Sequence, residues 1–296
     1  MINLTKIEDV LVGLIGLSVV ALPDDVKFAL KEAYRSETNE LARHHLKAIL
    51  ENIRLAESLR RPICQDTGTL TFFMRANPTL FNVKNLIGCI KRATARATRE
   101  IPLRPNAVDV LTGVNSGDNT GRHIPIIHTE LDYDIDFLEI SILPKGGGSE
   151  NVSRLFMINP AEGLEGVKRV VIRAVAEAGG KPCPPTIVGV GIGGSADLCM
   201  KLAKKALLRP INVRNPVNEI SKLEMELLEE INKLEIGPMG LGGKTTSLAV
   251  NIEVAHRHPA SFPVGIIFQC WAARRVTARI YWDGSVDILS HRSQKV

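Results

Sequence analysis

Aromatic residues are scarce in this chain: phenylalanine, tyrosine and tryptophan together make up 4% of its 296 residues. A chain of this length can bury a substantial core, as one large domain or two modest ones, and that core must consist mostly of Leu, Ile, Val and Ala. An excess of one charge is also missing. The net charge is +5 and the basic residues lie in segments that also contain Glu, which argues against a nucleic-acid-binding surface. The mild positive balance suits an anionic substrate equally well.

Long hydrophobic runs and disulfide patterning are missing too. The main apolar run, Val10–Leu22, has thirteen residues, whereas a membrane-spanning helix needs about 20. Glu8 and Asp9 precede it and no small-x-small cleavage site follows, so we expect a buried helix rather than a signal peptide. Five cysteines without paired spacing indicate a reducing cytoplasm rather than a disulfide framework.

The first sixty residues carry the signals of successive helices. Pro23 and Asp24 start a second helix, Thr38 and Asn39 open a third, and Pro62 ends it. Apolar residues recur along the third helix at helical spacing, which predicts one buried face.

The pattern changes after this helical layer. Residues 69–75 predict a strand, 83–100 a basic helix, and 124–143 a hairpin around an acidic segment, and the last sixty residues look mostly like strands. The sequence therefore predicts an α+β fold. An N-terminal helical segment, residues 1–60, would pack on a mixed α/β domain, residues 61–296, with a largely antiparallel C-terminal sheet, and the two parts could form one domain.

Two glycine-rich segments are similar to nucleotide-binding loops. Residues 189–194 satisfy G-x-G-x-x-G after a predicted strand, but no acidic residue ends a second strand about 20 residues later. Capture of an anion or carboxylate by backbone N–H groups at the following helix start is favoured instead. Residues 237–245 end like a P-loop, yet Pro238 replaces the first glycine and a strand is expected to follow, so the P-loop interpretation fails.

Three cysteines lie where a predicted strand meets a turn: Cys64, Cys183 and Cys270. Three thiolates can hold three corners of an iron–sulfur cube and leave one iron open as a Lewis acid. The wide spacing of these cysteines matches no local metal motif, so inert turn cysteines stay an alternative. Cys89 and Cys199 lie within predicted helices, where cysteine is usually a small buried hydrophobe.

The histidines divide in the same way. His256 and His258 lie in a loop before Pro259 and not far ahead of Cys270. A histidine near a candidate ligand can be a proton donor or can orient that ligand, and a solvated turn is the alternative. The remaining loop and helix histidines carry no further signal.

Six motifs, in order along nearly the whole chain, resemble the class I (iron–sulfur) fumarate hydratase and L-tartrate dehydratase family. They are PICQDTGT, LRPNAVD, KGGGSEN, KPCPPTIVGVGIGG, GPMGLGGKTT and a His-Pro…Cys-x-x-x-Arg segment. The resemblance implies a [4Fe–4S] cluster ligated by Cys64, Cys183 and Cys270, with one iron not ligated by protein. Residues 61–296 would then be the cluster-binding catalytic domain.

The resemblance also implies roles for residues around the cluster. Gln65, Arg104 and Gly147 would bind the substrate, and Asp66 and His258 would handle the hydroxyl proton. These roles suit the residue types, because Arg can hold a carboxylate with two parallel hydrogen bonds and glycine exposes backbone N–H donors. The implied reaction is reversible hydration of fumarate to (S)-malate.

Full-length family members carry a second domain that supplies further carboxylate contacts and the base for the C3 proton. This chain ends at Val296, after the strands expected to close the cluster domain. We therefore expect the α subunit of a hetero-oligomer that is active only with a β subunit. The alternatives are an L(+)-tartrate dehydratase α subunit and a non-catalytic iron–sulfur binding or sensing protein. Asp66, Arg104 and His258 favour the enzyme, because a sensor needs only the cysteines.

Overall fold

The computed structural model describes residues 4–291, and it has the α+β fold that the sequence predicts. The helices are α1 Leu4–Val20, α2 Asp24–Ser36, α3 Glu40–Leu59, α4 Val83–Glu100, α5 Gly147–Glu150, α6 Gly163–Ala178, α7 Ala196–Ala206 and α8 Asn218–Asn232. The strands are β1 Thr69–Ala76, β2 Ile126–Leu131, β3 Phe137–Lys145, β4 Arg154–Ile158, β5 Thr186–Gly194, β6 Ser247–Arg257, β7 Phe262–Gln269, β8 Val276–Tyr281 and β9 Val286–Ile288. No helix among residues 4–291 is long and apolar enough to cross a membrane.

The chain forms two compact units, and neither unit is continuous in sequence. The first contains the described residues of 1–24, 52–146 and 274–296, and the second contains residues 25–51 and 147–273. Residues 40–51 of helix α3 belong to the second unit and residues 52–59 belong to the first. The division predicted at residue 60, between a helical segment and a catalytic domain, stays a prediction.

The first unit is built on a five-stranded mixed sheet in the order β2-β1-β3-β8-β9. Helices α1 and α4 pack on each other, and α1 also contacts β3 and β8. Their apolar residues, such as Leu14 and Ile90, share one core with Phe72 and Ile140 of the sheet. This sheet contains β1, the strand that follows the turn after α3.

The second unit is built on a four-stranded sheet in the order β4-β7-β5-β6. Helices α6 and α8 share a core with Val188 and Val190 of β5, while the intervening Gly189 and Gly191 face α7. Because alternate residues of a strand point to opposite faces, α7 lies on the other side of the sheet from α6 and α8. The second unit is therefore a three-layer α/β/α arrangement.

The predicted hairpin at residues 124–143 is wrong. Strands β2 and β3 both pair with β1, which lies between them: β1 is parallel to β2 and antiparallel to β3. The linker, residues 132–136, spans the roughly 10 Å that separates strands two places apart in a sheet. The local pattern showed two strands correctly, but it carried no information about the strand inserted between them.

The helix starts predicted from the sequence are confirmed where they can be checked. The Asn39 side chain accepts the backbone N–H of Ala42 at 3.1 Å, as expected of a cap that opens α3. The buried carboxylate of Glu37 accepts the N–H groups of Thr38 and Asn39, both at 2.9 Å, and that of Lys244 at 2.8 Å. Glu37 thus joins the start of α3 to the glycine-rich loop before β6.

Candidate functional site

The turn between α3 and β1, residues 63–68, carries the first predicted ligand and is called the Asp66 turn below. Ile63 anchors it, because its N–H donates to the Val19 carbonyl at 3.0 Å and its carbonyl accepts from the Asn52 side chain at 2.8 Å. Cys64 follows and is partly buried, and Gln65 is exposed. The core of the first unit therefore fixes the point from which these two side chains extend.

The Asp66 carboxylate is held in a defined orientation. Its Oδ1 accepts the Gly68 N–H at 2.9 Å and faces Nδ2 of Asn106 at 3.4 Å. The same Asn106 amide donates to the Gly68 carbonyl at 3.2 Å. Gly68 has φ +83, and a Cβ there would lie 2.7 Å from the Lys145 backbone nitrogen. Glycine is required at this position for both conformation and space.

The second oxygen of Asp66 points toward the end of β3. An ideal Cβ built on Gly146 would lie 3.2 Å from Oδ2 of Asp66 and 3.6 Å from Nη2 of Arg274. Arg274 is 2% exposed, and its Nη1 donates to the Asp66 carbonyl at 2.8 Å. The bare backbone at Gly146 thus leaves room for the carboxylate beside a buried guanidinium.

Arg104 lies in the same unit, on the segment that follows α4. Its N–H donates to Oγ1 of Thr67 at 3.0 Å, and its carbonyl accepts from the buried Asn119 side chain at 3.1 Å. Its side chain is exposed. The structure therefore places Cys64, Gln65, Asp66 and Arg104 on two segments that are joined through the Thr67 hydroxyl.

The second unit contains the other two cysteine ligands predicted from the sequence. Cys183 has φ +55, and its N–H donates to the Gly180 carbonyl at 3.0 Å. Its own carbonyl accepts the Trp271 N–H at 3.0 Å. Cys270 precedes Trp271, and its Sγ lies 3.7 Å from the Ala272 carbonyl. The two cysteine turns are thus joined by a direct backbone contact, and both cysteines are partly buried.

The loop 237–243 supports the Cys183 turn. Its Met239 N–H donates to the Pro184 carbonyl at 2.8 Å, and a Cβ on Gly240 would lie 2.5 Å from Cα of Gly180. Strand β6 follows this loop rather than a helix, so the rejection of a P-loop from the sequence is confirmed. The glycines permit close packing against the cysteine turn.

Gly147 and His258 also lie in the second unit, and both are exposed. Nδ1 of His258 accepts the Ala260 N–H at 3.1 Å. A neutral imidazole with an accepting Nδ1 carries its proton on Nε2. His258 is therefore held as the tautomer that can donate a proton from its outer nitrogen.

The glycine run 189–194 packs closely against helix α7. A Cβ on Gly189 would lie 2.2 Å from the Ala203 carbonyl oxygen, and one on Gly191 would lie 1.9 Å from that of Cys199. These glycines let α7 pack against β5. Anion capture at the α7 start stays a prediction, and the chain's own Asp197 lies in the first turn of that helix. The Ser195 hydroxyl and the Leu198 N–H donate to this carboxylate and lower its pKa.

The five cysteines fall into two chemical groups. Burial raises the pKa of the Cys199 thiol to about 11 and also raises that of Cys89, so both are poor thiolate donors. Cys64, Cys183 and Cys270 are partly exposed on turns. Soft thiolates are the ligands that iron–sulfur clusters use, so the donor set fits the cluster that the sequence implies. Within residues 4–291, no three His, Cys, Asp or Glu side chains are already grouped to hold a metal ion.

Comparison with known proteins assigns the chain to a family. The family model "Fumarate hydratase (Fumerase)" matches residues 9–279. A Methanocaldococcus jannaschii protein with the name "Putative L(+)-tartrate dehydratase subunit alpha" is 50% identical over 284 residues, covering 95% of this chain and 100% of that protein. The L(+)-tartrate dehydratase subunit alpha of Escherichia coli K12 is 36% identical over 286 residues, 97% of this chain and 94% of that protein.

The chain belongs to the fumarate hydratase family. The match covers both compact units, from α1 to β8. The family expected from the six sequence motifs is therefore confirmed, and with it the class of hydro-lyases that the family contains.

Sequence reasoning missed two residues that contact the Asp66 turn. Asn106 stands two places after Arg104 in the LRPNAVD motif, and Arg274 stands four places after Cys270. Both residues lie inside sequence motifs that resemble the family, so the sequence did mark them as candidates. What the sequence could not show is that both side chains converge on Asp66.

Proposed function

We propose that the chain is the α subunit of a two-subunit hydro-lyase that reversibly adds water to fumarate and forms (S)-malate. The observation that carries the proposal is the match of residues 9–279 to the fumarate hydratase family. The local geometry supports it, because Asp66 is oriented by directed hydrogen bonds next to a partly exposed cysteine. An inert scaffold has no need of an oriented carboxylate in that position.

Cys64, Cys183 and Cys270 are the proposed ligands of a [4Fe–4S] cluster. When bound, the cluster would supply Lewis-acid chemistry that makes hydroxide a better leaving group. The protein's contribution is to present the three thiols from turns with fixed backbones: Cys64 through the anchored Ile63, and the other two through the Cys183–Trp271 hydrogen bond. Buried Cys89 and Cys199 take no part.

Asp66 and His258 are the proposed proton-handling pair. The Gly68 N–H holds Oδ1 of Asp66 at 2.9 Å, so the carboxylate cannot rotate without losing a hydrogen bond. His258 presents Nε2–H outward because its Nδ1 is occupied by the Ala260 N–H. One group can therefore accept the hydroxyl proton and the other can donate one.

Arg104, Gln65 and Gly147 are the proposed substrate-binding residues. The Arg104 guanidinium is exposed on a backbone fixed at both its N–H and its carbonyl, which suits bidentate capture of a carboxylate. Gln65 directly precedes Asp66 in the sequence and is exposed, and Gly147 is exposed and has no side chain. Together these three residues would bind the carboxylates of a four-carbon dicarboxylate.

A second candidate reaction is the dehydration of L(+)-tartrate. The names of the two relatives above favour it. Tartrate differs from malate by one hydroxyl, and a site distinguishes such substrates by a few polar contacts. Both reactions remove water from a 2-hydroxy dicarboxylate, so the same proposed residues serve either one.

A β subunit is the proposed partner. The relatives are named as alpha subunits, and the residue that takes the C3 proton is not assigned on this chain. We propose that the β subunit supplies this base and further carboxylate contacts. The chain alone should then bind iron without catalysing hydration.

The test is an anaerobic assay of the chain with and without its β subunit, on fumarate and on L(+)-tartrate. Activity on fumarate that appears only with β supports the main proposal, and activity on tartrate alone selects the second candidate. Activity without β contradicts the two-subunit claim. An iron-loaded pair that is inactive on both substrates supports a non-catalytic iron–sulfur protein instead.

A further inference from the structure

Arg274 is a fully buried arginine that the proposed chemistry does not use. It is 2% exposed, and its Nη1 donates to the Asp66 carbonyl at 2.8 Å. An ideal Cβ built on Gly146 would lie 3.6 Å from Nη2 of Arg274 and 3.2 Å from Oδ2 of Asp66. A buried charge is costly unless it is paired and hydrogen-bonded. The hydrogen bond to the Asp66 carbonyl therefore offsets part of the cost of burying the Arg274 guanidinium.

Asn106 contacts the same residue at its carboxylate. Its Nδ2 lies 3.4 Å from Oδ1 of Asp66 and 3.2 Å from the Gly68 carbonyl. Asn106 is itself fixed, because its N–H donates to Oδ1 of Asn119 at 2.6 Å. Asn119 is 5% exposed and donates to the Arg104 carbonyl at 3.1 Å. This network therefore couples the Asp66 carboxylate to the backbone of Arg104.

We propose that Arg274 and Asn106 are positioning residues that fix Asp66 for proton transfer and set its placement relative to Arg104. Arg274 holds the Asp66 backbone, and Asn106 holds its carboxylate. Neither needs to touch the substrate. This inference rests on the proposed function, since Asp66 is the group whose position matters.

A purely structural role for Arg274 is the competing explanation. Loss of any buried, hydrogen-bonded arginine destabilises a protein, so stability alone does not separate the two roles. Arg209 offers a matched comparison: its side chain is 13% exposed, and its Nη2 donates to the Ile252 carbonyl at 3.0 Å and pairs with the buried Glu224. Arg209 has the same kind of contacts, and among residues 4–291 its hydrogen-bond and ion-pair partners lie outside the Asp66 turn.

The test compares R274K, R274M and N106A with the controls R209K and N115A. Asn115 donates to the Pro105 carbonyl at 3.0 Å and belongs to the same loop as Asn106. The first measurement is hydrogen exchange of the Asp66 turn in the chain alone, which needs neither cluster nor partner. The second is kcat and KM of the complete enzyme under anaerobic conditions.

We expect faster exchange at residues 63–68 in R274K, R274M and N106A and no change there in the controls. The kcat should fall by about 10-fold in R274K and about 100-fold in R274M, since small misplacement of a reacting group has effects of this size. KM should stay within about threefold, and the lysine variant should retain part of the function because it keeps one donor. N106A should fall between wild type and R274M.

Two results would overturn the inference. Unchanged exchange at residues 63–68 in R274M would show that Arg274 does not hold the turn. A kcat of R274M no lower than that of R209K would show that the contact is only structural. A wild-type enzyme inactive on both dicarboxylates would contradict the proposed function instead, and the exchange measurement would then decide alone whether Arg274 and Asn106 hold the turn.

Discussion

The Asp66 turn and the glycine run 189–194 both place glycine next to reactive side chains, but they use it in opposite ways. In the turn, Gly68 donates its N–H to Asp66, and the bare backbone of Gly146 leaves space for the carboxylate. In the run, the backbone of α7 occupies the space that side chains would need, and an ideal Cβ on Gly191 would lie only 1.9 Å from the Cys199 carbonyl oxygen. The first arrangement holds a polar group in place, and the second closes a core.

The cysteine beside each segment differs accordingly. Cys64 lies in the Asp66 turn and is partly exposed, whereas Cys199 is buried in α7 and has a raised pKa. The carboxylates differ too, since Asp197 at the start of α7 is exposed and accepts hydrogen bonds from its own helix. A glycine motif therefore indicates a site only when polar groups, rather than packed backbone, occupy the space around it.

The largest difference between the two segments should appear when their carboxylates are replaced by amides. Asp66→Asn keeps an oxygen that can accept the Gly68 N–H, so the turn should stay folded while proton transfer is lost. We expect kcat to fall by about 10²- to 10⁴-fold with little change in Tm. Asp197→Asn is the matched control and should keep wild-type kcat. Equal kcat values for the two variants would remove Asp66 from the mechanism.

Replacement of glycine by alanine should mainly lower stability in the glycine run and mainly lower activity beside the Asp66 turn. Gly191→Ala forces a Cβ against the Cys199 carbonyl and should cost about 3 kcal/mol of stability, measured by denaturant unfolding. Gly146→Ala meets only the Asp66 carboxylate at 3.2 Å and the Arg274 side chain, so it should lower kcat with a smaller stability loss. If Gly146→Ala destabilised the protein as much as Gly191→Ala, the proposed space for the carboxylate would not exist.

The smallest effect concerns Asp197 and pH. Hydrogen bonds from Ser195 and from the start of α7 lower its pKa in the folded state. The stabilisation it gives is therefore present above its unfolded pKa of about 4 and is lost as pH falls through the lower folded value. Asp197→Asn should have a slightly lower Tm than wild type at neutral pH, and the difference should shrink in acid. A difference that grows in acid would contradict this sign.

Local signals predicted the elements of the fold well. Asn39 and Pro23 predicted helix starts from side-chain capping and from the fixed backbone angle of proline, and these effects do not depend on distant residues. The hairpin at 124–143 failed because pairing depends on which strand lies between two others. Long-range packing decides that β1 lies between β2 and β3. The local alternation of apolar and polar residues carries no information about that packing.

The candidate site was predictable only in part. The roles of the cysteines, Asp66 and Arg104 are predictions from motif resemblance, and the structure adds the hydrogen bonds that orient Asp66 and His258. Arg274 is more than two hundred residues from Asp66 in sequence, and no spacing rule joins them. The packing role of Gly189 and Gly191 was not predictable, because a sequence does not show what a Cβ would meet.

The central claim is that Cys64, and not Cys199, serves an iron–sulfur cluster. Iron and sulfide should be measured in anaerobically purified wild type, Cys64→Ala and Cys199→Ala. The account predicts about four irons per chain in wild type and Cys199→Ala, and little iron in Cys64→Ala. Equal iron in all three proteins, or none in wild type, would contradict it.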